Sequence, residues 1–266
     1  MKNQPETKED NTRLNKFISH NSKYSRREAD AIIAEGRVKV NKKTITDLST
    51  KVLDTDIVAI DNKPIKFEKN KMYTVLVYNK PKGELVTKND PQGRRIIFDT
   101  LGAKYKHFLP IGRLDYASEG VLLLTDSVDV ANGLMHSDLQ RVYKIKVSGP
   151  INKQVEDAML HGLELEDATK GAWKDSKVKS MSFAPFLGYK IDSVKDTFSK
   201  LKVAITEGKN RELRRFFAHF GLDVMDLKRV EYGGISLNNL PTGKSRYLTR
   251  EEYKNLKDFL YTKDND

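Results

Sequence analysis

The chain has 266 residues and no cysteine, which excludes a disulfide framework, thiolate catalysis and cysteine-ligated metal centres. Its 48 lysines and arginines against 37 acids give a formal net charge of +11, a balance that favours a polyanionic partner, nucleic acid or an anionic membrane surface. The N-terminus, MKNQPETKEDN, lacks the apolar stretch of a secretory signal, and no apolar run approaches the ~20 residues of a membrane span. A cytoplasmic chain without membrane attachment is expected. The histidines His20, His107, His136, His161 and His219 are scattered without metal-ligand spacing, so no metal site is expected.

Residues 1–11 read as a mobile charged tail. Beyond them Leu14, Phe17 and Ile18 fall on one helical face. Ser25 and Glu28 have capping-box spacing, and Ala29, Ile32 and Ile33 carry the periodicity to a stop at Gly36. Val38 and Val40 alternate with charged residues as a short strand, and two more short strands are expected around Val52 and at 57–60. This helix–helix–strand module resembles an S4-type RNA-binding domain. The candidate phosphate contacts are Arg13, Lys16, Lys23, Arg26, Arg27, Arg37 and Lys39. The lysine-rich stretch 62–72 reads as a linker, so the first domain with its linker is assigned to 12–70.

The second region, 71–250, opens with a strand at 73–78 and a turn at 79–83. Strands at 143–147 and 200–205 are interspersed with amphipathic helices at 153–161 and 211–220. Without regular βαβ repetition an α+β fold is expected. Thr249 and Glu252, again at capping-box spacing, begin a C-terminal helix that occupies 251–266 with a short tail.

In this region GRLDYASEGVLLLT (112–125) sets Asp115 just ahead of an apolar run that reads as a buried strand. An ionised carboxylate that close to a core is costly unless it is paired; taken alone, an aspartate there is also an ordinary cap or turn residue. In RVYKIKV (141–147) Tyr143 and Ile145 share one side of a strand, where a tyrosine packs in a core or lines a pocket. In TEGKNRELRRFFAHFG (206–221) Arg211, Arg214 and Arg215 crowd the first turn of a helix, where the macrodipole prefers acids. Either an anionic backbone or a buried carboxylate would supply the missing negative charge. The loop NKPKGELVTKNDPQGRR (79–95) offers Lys80, Lys82 and Arg94 beside small turn residues, a composition that suits a phosphate backbone and is also common on any solvated surface.

Taken together and in this order behind an S4-like module, NKPKGELVTKNDPQGR, PIGRLDYASEGVLLLTDSVDVANGLMH, VYKIKV and EGKNRELRRFFAHFG resemble a bacterial ribosomal RNA pseudouridine synthase of the RsuA/RluB type. The resemblance runs from about residue 12 to 248. It implies a mixed, mainly antiparallel catalytic sheet with flanking helices. It also implies Asp115 as catalytic aspartate, Tyr143 as active-site tyrosine and Arg214 as the arginine paired with the aspartate. Arg113 matches a position that helps displace the target base, and Arg211 and Arg215 join the expected RNA contacts. Such enzymes need no metal, redox partner or cofactor. Ser118 stands where threonine is usual, Ser137 follows His136 where proline is frequent, and Glu212 replaces a commoner glutamine.

The expected partner is ribosomal RNA, free or in an assembling large subunit, bound by a monomer. GELVTKNDPQGR and GLELEDA look more like enzymes of the large-subunit (23S) type than the small-subunit type. Two other readings compete. One is a non-catalytic RNA-binding factor in ribosome assembly. The other is a glycosidase pairing Asp115 with Glu119 or Asp126, a chemistry that requires two carboxyl groups flanking one bond.

Overall fold

The computed structural model describes residues 11–22, 24–53, 55–65 and 72–263, with side chains to residue 260. Most of the expected N-terminal tail, the candidate Lys23, residues 66–71 of the expected linker and residues 264–266 lie outside the described residues. The chain divides at Met72–Tyr73 into two compact units.

In the first unit, β1 (Thr12–Arg13) leads into α1 (Leu14–Asn21), followed by α2 (Arg26–Ala34). Helical spacing puts Leu14, Phe17 and Ile18 against Ala29, Ile32 and Ile33, all buried. The capping box forms: Glu28 N donates to Ser25 Oγ at 3.3 Å, and Ser25 N donates to Glu28 Oε2 at 2.7 Å. Gly36 then turns the chain at φ +70°. Five short strands follow: β2 (Val38–Val40), β3 (Lys43–Ile45), β4 (Lys51–Val52), β5 (Val58–Ile60) and β6 (Lys63–Pro64). The order β3-β2-β5-β6 makes one sheet, and β4 pairs with β1. The linker reading is corrected at its start: β6 pairs with Ala59 and Ile60, and Ile65 packs against the core. Arg13, Lys16, Arg26 and Arg27 are exposed. Arg37 differs, because Asp61 and Glu35 hold its guanidinium at 2.7 and 3.2 Å. Lys39 donates to Asn62 Oδ1 at 2.8 Å.

The second unit is built on a nine-stranded mixed sheet. Its strands, with the separate pair β11·β12, are β7 (Val75–Lys80), β8 (Leu109–Ile111), β9 (Glu119–Thr125), β10 (Arg141–Ser148), β11 (Leu163–Leu165), β12 (Met181–Phe183), β13 (Gly188–Val194), β14 (Phe198–Ile205), β15 (Val224–Tyr232), β16 (Ile235–Ser236) and β17 (Ser245–Tyr247). The helices are α3 (Ile97–Leu101), α4 (Val128–Met135), α5 (Lys153–His161), α6 (Glu212–His219) and α7 (Arg250–Lys263). The path runs β13-β14-β10-β15-β9-β7-β17, with β16 on β15 and β8 on β9. Every pairing is antiparallel except β9 with β15. The first strand begins at Val75 and runs to Lys80, two residues later at each end than the apolar pattern suggests.

Alternation along β7 and β9 buries both faces of the sheet. Leu76, Tyr78, Leu122 and Leu124 join the larger core with α5 and α6. Val75, Val77, Val121 and Leu123 join a second core beneath α4 and α7. The terminal helix belongs to this second core: Leu256 is buried there, and Tyr253 stacks on Tyr73 with centroids 5.3 Å apart. The expected capping box starts it, Glu252 N donating to Thr249 Oγ1 at 3.2 Å and Thr249 N to Glu252 Oε2 at 2.8 Å.

The parallel crossing fixes the position of the loop that carries Asp115. Gly120 lies opposite Arg229 at φ +105°, and a Cβ there would sit 2.1 Å from the Arg229 carbonyl oxygen. Backbone meets backbone at that point, so no rotamer relieves the overlap. Gly120→Ala is therefore expected to cost about 3 kcal/mol or more, combining overpacking with an unfavourable φ. Denaturant melts of wild type and variant check this; equal midpoints would refute it.

Candidate active site

The loop from Gly112 to Ser118 and the start of α6 meet across a cleft of about 1470 Å³. The volume exceeds the usual range for small-molecule pockets and suits one segment of a polymer. Asp115, Tyr143, Arg211 and Arg214 line it together with Arg113, Tyr116, Trp173, Arg141 and Arg229.

Asp115 is held by two guanidiniums from one helix start. Arg214 Nε lies 3.4 Å and Arg211 Nη1 3.6 Å from Asp115 Oδ2, with the carboxylate side chain 30% exposed. Arg214 Nε makes no aligned hydrogen bond, so the attachment is an ion pair that leaves the carboxylate able to turn toward a substrate. Burial draws the Arg214 guanidinium below its ordinary value, while the charge of Asp115 opposes that drift. The remaining Arg214 donors fasten it to the same loop and to β15: Nη1 donates to Val224 O at 3.0 Å, and Nη2 to Ser118 Oγ at 3.3 Å and Ala117 O at 3.4 Å. The hydroxyl at Ser118 is thus engaged by the arginine.

The three arginines of NRELRR separate by role. Arg211 adopts a left-handed conformation at φ +52° and donates from Nε to Gly171 O at 2.7 Å, which aims its other end at Asp115. Its place beside the carboxylate goes beyond the phosphate contact expected from the sequence. Arg215 is fully buried. It donates to Ala168 O at 2.7 Å, Val178 O at 3.0 Å and Ser176 Oγ at 2.7 Å, bracing the loop that presents Trp173. A guanidinium enclosed in this way has no path to a phosphate, so the RNA-contact expectation for Arg215 is corrected to a structural role.

Lys80 is corrected in the same sense. It is completely buried, and Nζ donates to Pro81 O at 2.9 Å, Ser118 O at 2.9 Å and Asp115 O at 3.2 Å. One ammonium therefore ties the end of β7 to the Asp115 loop from beneath. Desolvation pulls it down to about 8, against the favourable charges of Glu84, Asp115 and Glu119. Lys82 is paired with Asp226, and Arg94 with Asp90 at 2.6 Å. Arg113 is exposed at the cleft wall.

Tyr143 is 7% exposed and sits in the larger core while lining the cleft, so both readings of the tyrosine hold at once. Tyr116 and Trp173, by contrast, are large aromatics left about half exposed at the cleft. Trp173 is the only tryptophan of the chain and stands in the polar run ATKGAWKDSKVK, a composition mismatch that could have flagged it. In the cleft wall Arg229 donates from Nε to Val121 O at 2.7 Å, and its Nη2 has no hydrogen-bond partner among the described residues.

The glycosidase reading fails on placement. Neither Glu119 nor Asp126 lines the cleft: Glu119 faces Lys228 at 4.0 Å and Asp126 accepts from Thr74 N at 2.7 Å. Among the described residues no cluster of histidines and carboxylates has the form of a metal site, and no helix is long and apolar enough to cross a membrane.

Comparison with known proteins agrees with this geometry. Residues 74–219 match the RNA pseudouridylate synthase family and residues 12–58 the S4 domain. A Helicobacter pylori protein named as an RNA pseudouridine synthase is 54% identical over 93% of this chain and 94% of its own length. The ribosomal large subunit pseudouridine synthase B of Bacillus subtilis is 37% identical over 92% of this chain and 95% of its own. A crystal structure of a pseudouridylate synthase superposes with a TM-score of 0.59 at 23% identity, over 92% of this chain and 99% of that one, and supports the fold. The chain belongs to the RNA pseudouridine synthase family, with an S4 domain preceding the catalytic domain.

Two outcomes are expected of residues around the aspartate. Lys80→Met removes the donor shared by three carbonyls and should lower turnover about 100-fold or more through displacement of Asp115; unchanged kcat would show that the loop holds itself. Glu212, buried at the start of α6, accepts from Lys209 N at 3.0 Å. Burial and the charge of Glu207 push its carboxyl up to about 7, against the pull of Lys209. Between the ordinary value near 4.5 and about 7 the folded chain keeps a proton that the unfolded chain has released. Stability therefore falls as pH rises across that window, by an amount on the order of 3 kcal/mol. Glu212→Gln should flatten this dependence in denaturant titrations between pH 5 and 8.

Proposed function

We propose that this chain converts a specific uridine to pseudouridine in the RNA of the large ribosomal subunit, with Asp115 as its catalytic carboxylate. The observation that carries the assignment is Asp115 in an open cleft, paired with two guanidiniums, with Tyr143 lining the same cleft. The target class draws support from relatives such as the Bacillus subtilis protein, whose name specifies the large subunit.

The reaction breaks the N1–C1′ bond of uridine, turns the base and joins C5 to C1′; C5 loses its proton and the freed N1 gains one, so nothing is added or removed overall. An anionic group is needed against the base and sugar, either as nucleophile or as a stabiliser of positive charge at C1′. Arg211 and Arg214 pair with the Asp115 carboxylate and hold it at the cleft. Tyr143 offers a ring face to the uracil. Eversion of the uridine costs a few kcal/mol. The exposed rings of Tyr116 and Trp173 supply stacking for bases that leave their helix, and the exposed basic groups of the S4 unit, Arg13, Lys16, Arg26 and Arg27, supply phosphate contacts.

A non-catalytic assembly factor would have no use for a paired, solvent-reachable carboxylate in such a cleft. Asp115→Asn is expected to abolish pseudouridine formation in 23S rRNA transcripts while RNA affinity stays within about threefold of wild type. The measurement is base mapping after reaction, with a filter-binding assay beside it. Full conversion by the variant would eliminate the proposal.

A further inference from the structure

The side of the sheet away from Tyr143 carries a feature that the cleft does not use. Register sets Lys190 of β13 opposite Lys202 of β14, Lys202 opposite Lys144 of β10, and Lys144 opposite Lys228 of β15. Four lysines thus form one transverse row over four neighbouring strands. In the adjacent row Lys200 stands opposite Lys146. Side chains alternate along β10, so Lys144 and Lys146 project from the face opposite Tyr143 and Ile145. Lys144, Lys190, Lys200 and Lys202 are exposed, and Lys146 and Lys228 half-buried.

Like charges set directly opposite one another weaken a sheet. Protection of an edge explains a lysine on the outermost strand β13, but β14, β10 and β15 are interior strands with no edge to guard. The acids in register with the two rows do little to neutralise them. Glu119 reaches Lys228 at 4.0 Å, and Asp226, opposite Lys146, divides its charge between Lys82 and the pair Lys146 and Lys200. Among the described residues no carboxylate forms an ion pair with Lys144, Lys190 or Lys202.

We propose that this lysine row is a second RNA-binding surface, which takes the phosphate backbone of a double-helical segment flanking the target uridine. The proposal rests on the assignment of the cleft to a uridine in ribosomal RNA. Four strands ~4.8 Å apart give a row about 14 Å long. One strand of a duplex presents a phosphate every roughly 3 Å of axis, so the row faces about four or five phosphates. A duplex fits better than a single strand because the row offers no ring for base stacking. The nearby aromatic, Phe198, is covered by Lys146, Lys195 and Lys200, whose ammonium groups lie 4.5, 5.4 and 5.8 Å from its centroid.

The test uses the full chain, a 20-base-pair RNA duplex as probe and two triple variants of equal charge. One is Lys144→Gln/Lys190→Gln/Lys202→Gln; the other, Lys104→Gln/Lys153→Gln/Lys254→Gln, removes exposed lysines scattered elsewhere in the same unit. The row variant is expected to bind the duplex about tenfold or more weakly near 0.15 M salt. Its slope of log affinity against log salt should fall by about 2 to 3, as loss of two or three phosphate contacts requires. The scattered variant should lose less than threefold. Thermal melts of both should match or exceed wild type, because repulsion is relieved. Equal losses in the two variants would reduce the effect to net charge and overturn the proposal, as would an unchanged slope in the row variant. Failure of the cleft assignment would instead appear as pseudouridine formation by Asp115→Asn, an outcome independent of duplex binding.

Discussion

Asp115 and the start of α6 depend on each other, and the local irregularities of the second unit follow from that dependence. A helix with one arginine at its N-cap and two more at its start opposes its own dipole. It tolerates them because Asp115 supplies a negative charge to two, and backbone carbonyls accept from all three. A carboxylate next to the hydrophobic core at Leu114 is costly alone, and the same two guanidiniums offset that cost. The left-handed conformation at Arg211, the buried Lys80 and the hydroxyl of Ser118 are the means by which the pair is held in register.

The sheet translates this local pairing into a position in space. β9 carries the Asp115 loop at its entrance and is bounded by β7 on one side and β15 on the other. The Arg229 side chain donates across to Val121 O, 108 residues away, and Gly120 lets the two backbones approach. Tyr143 comes from β10, on the far side of β15, directly opposite Arg229. Cleft residues from four separated segments are thereby fixed by main-chain hydrogen bonds, a more rigid support than loops alone would give.

Much of this architecture was legible because its signals are local. The stripes of α1 and α2, the capping boxes at Ser25 and Thr249, and the apolar run of β9 each need only a few neighbouring residues to be recognised. β3 and β6 escaped notice because strands of two or three mostly polar residues contain less than one full alternation. β15, VMDLKRVEY, mixes charge and apolarity, and its parallel partner lies in a distant segment. Side-chain roles followed the same divide. Arg214 beside Asp115 was anticipated through resemblance. Lys80 and Arg215, expected as RNA contacts, have nothing in their neighbouring residues to signal burial; only the carbonyls that converge on them in the folded chain do so.

The spacing of the ion pair along the chain has a consequence for biosynthesis. Arg214 reaches back to Ala117 across 97 residues. At a translation rate of ~5–20 residues per second, about 5–20 s separate the emergence of the acidic loop from that of the helix that neutralises it. Throughout that interval the nascent polypeptide carries an orphan anion next to the apolar strand β9. Closure of the centre is thus a late event of synthesis, and a truncated product ending before α6 would lack the means to complete it.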